Sequence, residues 1–379
     1  MDWLTGSKQG EAKKLISQLA DSSKRDATAQ ALIRNGNDSV PALIEALQTQ
    51  DLNLLLIYQH ILAQIPSAIP ALAKTLSTAH PLVRARTVEV LGLSKDKTSI
   101  PILLEALKSE YFTVRKNALL ALAYIGDARV ISALLPFLKD HEDEVRAAAC
   151  VAVGKFNDSS TFDEITNVLL DDSKIEVRRV AARALGETEN SSALPFLMEA
   201  LRDSVWWYEK EQSSADLLNA IEKMGPVAVP PLIEALSDKE GTVRKFAASL
   251  LGKLLDPQAI DELGMTLYDL HHEVSLAAAE ALAKFGVQAI DVLSEALLHP
   301  EAAVRRHAII GLSQIQDVRV TPFLLEMLHD PDRVVKIQAV EALGQVRDSR
   351  AIPALEEIAA NRSDREISML AKRVIENIK

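Results

Sequence analysis

Apolar residues recur along this chain in one fixed helical register. In the stretch Asp140–Asp158, Val145, Ala149, Ala152 and Val153 stand at offsets 0, 4, 7 and 8, which is one face of an α-helix. The same register begins at Val83, Val114, Val145, Val177, Val243, Val274, Val304 and Val335. Successive anchors lie 30–32 residues apart, except for one gap of 243 − 177 = 66 that accommodates two units. In that gap a variant copy anchors at Ser213 and runs on as Ala215-Asp-Leu-Leu-Asn-Ala-Ile-Glu-Lys-Met-Gly225. The same step taken backwards gives Leu54 and then Lys24, and taken forwards gives Ile367. The chain therefore reads as twelve units with atypical first, second and last copies, as the capping repeats of a solenoid are.

Thirteen residues after each anchor stands Asn37, Ser67, Asp96, Asp127, Asp158, Asn190, Pro226, Asp256, Val287, Asp317 or Asp348, mostly residue types that cap a helix N-terminus. A proline follows in phase at Pro41, Pro70, Pro101, Pro195, Pro231, Pro322 and Pro353, where a first helical turn tolerates its missing N–H. An apolar run comes next, as in Pro101-Ile-Leu-Leu-Glu-Ala-Leu107, and a short polar turn leads to the next anchor. Each unit is predicted to be helix A, tight turn, helix B. No stretch alternates with period two, so no strands are expected. The expected fold is an all-α solenoid of about two dozen short helices, with 1–379 as a single array. Residues 1–66 are its atypical N-terminal repeats, 67–346 the central ones with an insertion at 203–213, and 347–379 a C-terminal cap.

The pattern Asp-x-x-x-x-Val-Arg-x-x-Ala-x-x-Ala-Leu-Gly, closed by Asp-x-x-Ala-x-Pro-x-Leu, resembles the HEAT-like repeat family. It is written clearly in Val177-Arg-Arg-Val-Ala-Ala-Arg-Ala-Leu-Gly186 and Val304-Arg-Arg-His-Ala-Ile-Ile-Gly-Leu312. More narrowly, it is similar to the short repeats of phycobilisome bilin lyases. The resemblance covers nearly the whole chain. It implies a right-handed superhelix whose B helices line a concave surface, a common geometry for gripping proteins. The narrower resemblance implies a phycobilin lyase subunit or a phycobilisome-associated chaperone, which would handle a tetrapyrrole in a paired assembly. Repeat motifs encode packing, so they carry fold further than function.

The residue after each anchor is Arg84, Arg115, Arg146, Arg178, Arg244, Arg305 or Lys336. These cations are expected to form a structural ladder to turn carbonyls or to a neighbouring unit's acid, among Asp140, Asp172, Asp238 and Asp330. A basic ridge for an anionic partner is the functional alternative. Positions +3, +6 and +10 should lie on the exposed side of helix B. They hold Arg86, Glu89, Asn117, Tyr124, Arg183, Glu187, Asp216, Asn219, Lys223, Glu280, His307, Gln338 and Glu341. That row is either merely solvated or the face that grips a partner.

The insertion Asp203-Ser-Val-Trp206-Trp207-Tyr208-Glu-Lys-Glu-Gln-Ser213 breaks the repeat and gathers aromatics in a chain poor in them. Insertions in solenoids map to loops, often on the binding face, and Trp and Tyr are common interface anchors. Arg183, Trp206, Trp207, Tyr208, Asp216 and Asn219 are therefore the expected partner site. The competing expectation gives one Trp to the core in place of the missing anchor valine.

Net charge is −11, which disfavours nucleic-acid and anionic-membrane binding, since both need Lys and Arg in excess. The N-terminus shows no signal peptide and no apolar span of membrane length, so a soluble cytoplasmic protein is expected. Cys150, the only cysteine, stands among Ala and Val and should be an inert buried thiol. His80, His141, His271, His272, His299 and His329 fall in turns about one helix diameter apart, too far to share a metal. No phosphate loop, His-Glu-x-x-His or serine elbow is present. Neither enzymatic activity, cofactor nor metal is expected, and the partner should be a protein.

Overall fold

The computed structural model describes residues 2–379 except 159–160, 189, 205, 207–210 and 362, and the side chains of all of these except 2–8 and 211–213. Among the described residues there are 24 α-helices and no strand. They alternate as A and B helices in the predicted order. The chain divides into two compact units, Met1–Thr188 and Glu189–Lys379, each containing six such pairs.

The register predicted from the anchors is the one that is buried. Val145, Ala149, Ala152 and Val153 of the B helix Asp143–Gly154 have no exposed surface. The variant B helix Glu211–Lys223 buries Leu217, Ala220 and Ile221 at +4, +7 and +8 from Ser213. The terminal helix Arg365–Ile378 does the same with Ala371, Val374 and Ile375. The first anchors are displaced. Lys24 is exposed and precedes the helix Arg25–Asn35, and Leu54 is half-buried while Leu55 turns fully inward.

The caps differ from expectation in one respect. Asp96, Asp127, Asn190, Asp256, Asp317 and Asp348 each accept the amide two residues on, but the element they cap is a single 3₁₀ turn. Helix A follows that turn, and Pro101 sits at the second residue of Ile100–Ala106. An Asx side chain bonds most easily to the amide two residues on, which favours this tight entry over a direct α-start.

Successive B helices pack closely because the motif places glycine opposite alanine. A Cβ on Gly92 would lie 2.8 Å from Ala121 Cα, and one on Gly154 2.8 Å from Ala184 Cβ. This contact also corrects the exposed row. Arg86 and His307, at +3, are buried, because the adjoining B helix covers that position. Arg86 spends its guanidinium on the Leu47 and Thr49 carbonyls of the preceding unit. Among the described residues no single helix is long and apolar enough to cross a membrane.

Candidate partner-binding surface

The arginines after the anchors are engaged internally. Arg115 donates from Nε and Nη2 to the two carboxylate oxygens of Asp140, at 2.9 Å each, and from Nη1 to the carbonyls of Ser109 and Glu110. Arg146 repeats this on Asp172 and the carbonyls of Asp140 and His141. Arg305 repeats it on Asp330, His299 and Pro300. In every case the acid is five residues before the next unit's anchor, and it also caps its own turn, as Asp140 does with the Glu142 amide. The planar guanidinium thus satisfies two turn carbonyls and one carboxylate at once, which a lysine could not do. Burial alone would raise the Asp140 carboxyl, but the Arg115 bonds and the Glu142 amide outweigh it and hold its pKa low. Asp269 and Asp330 are held low in the same way.

Asp140, Asp172 and Asp330 accept as the sequence suggested. Asp238 does not take its expected place: it pairs with Arg202 at 2.8 Å, while Arg244 grips Asp269. The constant offset of the acid, five before the anchor, would have singled out Asp269. Arg84 donates to the Ala79 carbonyl and lies over the Tyr111 ring.

The junction at Ser275 replaces both members of the rung. Ser275 replaces the arginine and His299 the aspartate. Ser275 Oγ–H donates to the Leu267 carbonyl at 2.6 Å, so its 2.7 Å contact with His307 Nδ1 must be donation by the ring. Burial pulls the His307 pKa down to about 4, helped by His272 and Arg306. The pair looks like a nucleophile and its base. However, Ser275 is buried and its proton is committed to a carbonyl, so a substrate cannot reach it. Cys150 is also fully buried, and burial raises its thiol to about 12. Among the described residues no three His, Cys, Asp or Glu side chains converge to hold a metal ion.

What remains on the B-helix face is the +6 and +10 row. In the first unit Leu120 and Val151 are each 39% exposed, Tyr124 is 45% exposed, and Arg183 is exposed. In the second unit Asn219 is exposed and Asp216 half-buried on Glu211–Lys223. Trp206 is fully buried and offers no surface, so its place is in the core. Trp207 and Tyr208 lie outside the described residues. The expected site residues thus divide between the two units, with Arg183 in the first and the others in the second.

HEAT repeat models match residues 69–149, 131–218, 215–283, 229–312 and 290–376. The chain therefore belongs to the HEAT repeat family, and its fold is an all-α HEAT solenoid. No curated protein matches it in sequence. Among solved structures it is similar to karyopherins. A structure of Kap121p bound to Nup53p superposes with a TM-score of 0.62 at 15% identity, covering 97% of this chain and 49% of that one. A Kap95:Nup1 complex gives 0.58 at 14% identity, covering 97% and 60%. This chain spans about half the length of these karyopherins, and at such identity the likeness shows the fold alone.

Proposed function

We propose that this chain is a non-enzymatic scaffold that holds a partner protein along its B-helix face. The observation that carries the reading is the selective exposure of that face. The conspicuous cations of the ladder are turned into the structure, while Leu120, Val151 and Tyr124 stand out on neighbouring helices. Apolar side chains adjacent in space on a solvent face are how an interaction surface differs from a merely solvated one. The karyopherin structures contain protein partners on a related fold, which supports a protein partner here. Net charge of −11 supports a protein over a nucleic acid.

Affinity capture from native lysate tests the reading, with wild type and the double variant Val151→Glu, Arg183→Glu. A partner held by wild type and lost by the variant, at unchanged melting temperature, is expected. No partner, or equal capture by both, would overturn it. The narrower reading, a bilin lyase subunit or phycobilisome chaperone, rests on the repeat motif alone. Titration with a free bilin would remove it if the pigment's absorbance stays unchanged.

A further inference from the structure

Three successive B helices of the first unit, Leu52–Ala63, Pro81–Leu93 and Phe112–Ile125, share one polar chain. Gln59 donates to one carboxylate oxygen of Glu89, and Asn117 donates to the other at 2.6 Å. Asn117 also donates to the Ala85 carbonyl. The three side chains form one end of an open pocket of about 320 Å³. Leu93, Leu120 and Ala121 supply an apolar wall, and Tyr124 closes the other end.

Glu89 forms no ion pair among the described residues, and the lysines near this pocket lie over the Tyr124 ring instead. Each rung aspartate of the ladder has an arginine, but among the described residues Glu89 has only two neutral amides. A carboxylate has about four lone-pair positions, so roughly two remain for a donor. Half-buried carboxylates are most stable against a cation. The Tyr124 ring shows the same preference directly. Lys95 Nζ lies 4.6 Å from its centroid and Lys155 Nζ 5.1 Å, drawn from the units on either side. An aliphatic wall between a carboxylate and an aromatic face fits a long stem with a cationic head.

We propose that this pocket receives the arginine or lysine side chain of a partner segment, with Glu89 taking the charge, Leu120 the stem and Tyr124 the flank of the cationic group. The proposal deepens the scaffold reading and rests on it. It assigns opposite signs to the neighbouring residues. Glu89 attracts the ligand, whereas Lys95 and Lys155 compete with it for the ring and repel it.

The test uses the full chain and capped alanine pentapeptides with a single central arginine, lysine, glutamate or norleucine, followed by calorimetry or ligand-observed NMR. The arginine and lysine peptides are expected to bind and the other two not. Glu89→Gln removes the charge while keeping the shape and one of the two amide contacts, the other being restored only if the Gln59 or Asn117 amide flips, and it should weaken binding about tenfold or more. Tyr124→Ala, at an exposed position, should weaken it less and provides a second reading if Glu89→Gln perturbs folding. Lys95→Ala or Lys155→Ala should tighten it. Preference for the glutamate peptide, indifference to both Glu89→Gln and Tyr124→Ala, weaker binding in the lysine variants, or no basic-peptide binding at millimolar concentration would each overturn the proposal. A captured protein lost by the Val151→Glu, Arg183→Glu variant but kept by Glu89→Gln would leave the scaffold standing and remove this pocket.

Discussion

Two adjacent junctions in the second unit solve the same problem with opposite chemistry. Between the B helices Ala302–Gln314 and Arg333–Val346, Arg305 clamps Asp330 and two turn carbonyls with four charge-assisted bonds. Between His272–Lys284 and Ala302–Gln314, a neutral pair takes over. There Ser275 satisfies the Leu267 carbonyl, His307 donates to Ser275, and His299 caps its turn by accepting the Glu301 amide. Both junctions bury the same apolar register, with Val274, Val304 and Val335 all inside. Stacking is therefore set by the apolar face, and the rung is a local means of satisfying turn carbonyls. The turns on either side of the neutral junction carry Leu270 and Leu298, 94% and 81% exposed.

The largest expected effect separates the two junctions by truncation. Asp330→Asn leaves the Arg305 charge buried with carbonyls only, and should cost about 3 kcal/mol in urea unfolding. A loss below about 1 kcal/mol would make the rung no stronger than an ordinary neutral hydrogen bond.

Acid should separate them by pH window. The folded His307 pKa is depressed from 6.5 to about 4, so the unfolded chain binds the extra proton between those values. Its contribution is complete above about 6.5 and is withdrawn as pH falls towards 4. The Asp269 and Asp330 carboxyls are depressed below the ordinary carboxylate value of about 3.9, so their rungs weaken only below that. The protection factor of amides at the Leu267 turn, taken relative to the intrinsic exchange rate at each pH, should therefore fall between pH 6.5 and 4 while that at the Asp330 turn holds. His307→Gln should abolish that first window, and an unchanged profile in this variant would assign the slope to another group.

Ser275→Ala should cost about 1 kcal/mol, because it removes one neutral hydroxyl from the Leu267 carbonyl and from His307. The smallest effect should come from Lys245, whose 2.6 Å pair with Glu273 is on the surface. Lys245→Ala should change stability by less than about 0.5 kcal/mol and disappear into the background at high salt. A larger loss there would mean that surface pairs reinforce the array as much as the buried rungs do.

The twelve units and the inward register were legible from residue order alone. A period of about thirty residues with one helical face can be buried only by stacking neighbours. The arginine ladder was legible as chemistry, and the constant offset of its acid, five residues before the next unit's anchor, would have named Asp269 rather than Asp238 as the carboxylate for Arg244. Only the tertiary structure decided which polar residues are free. Helix geometry makes +3 an outward position on an isolated helix. Arg86 and His307 are nevertheless buried, because the preceding unit lies against them, with Arg86 on the Leu47 and Thr49 carbonyls and His307 on Ser275. Trp206 likewise could be a surface anchor or a core residue by its order in the chain, and the fold buries it completely. Glu89, Asn117 and Gln59 are about thirty residues apart in pairs, and stacking joins them into one pocket. Periodicity fixes what must be covered, but the packed neighbours determine what remains available to a partner.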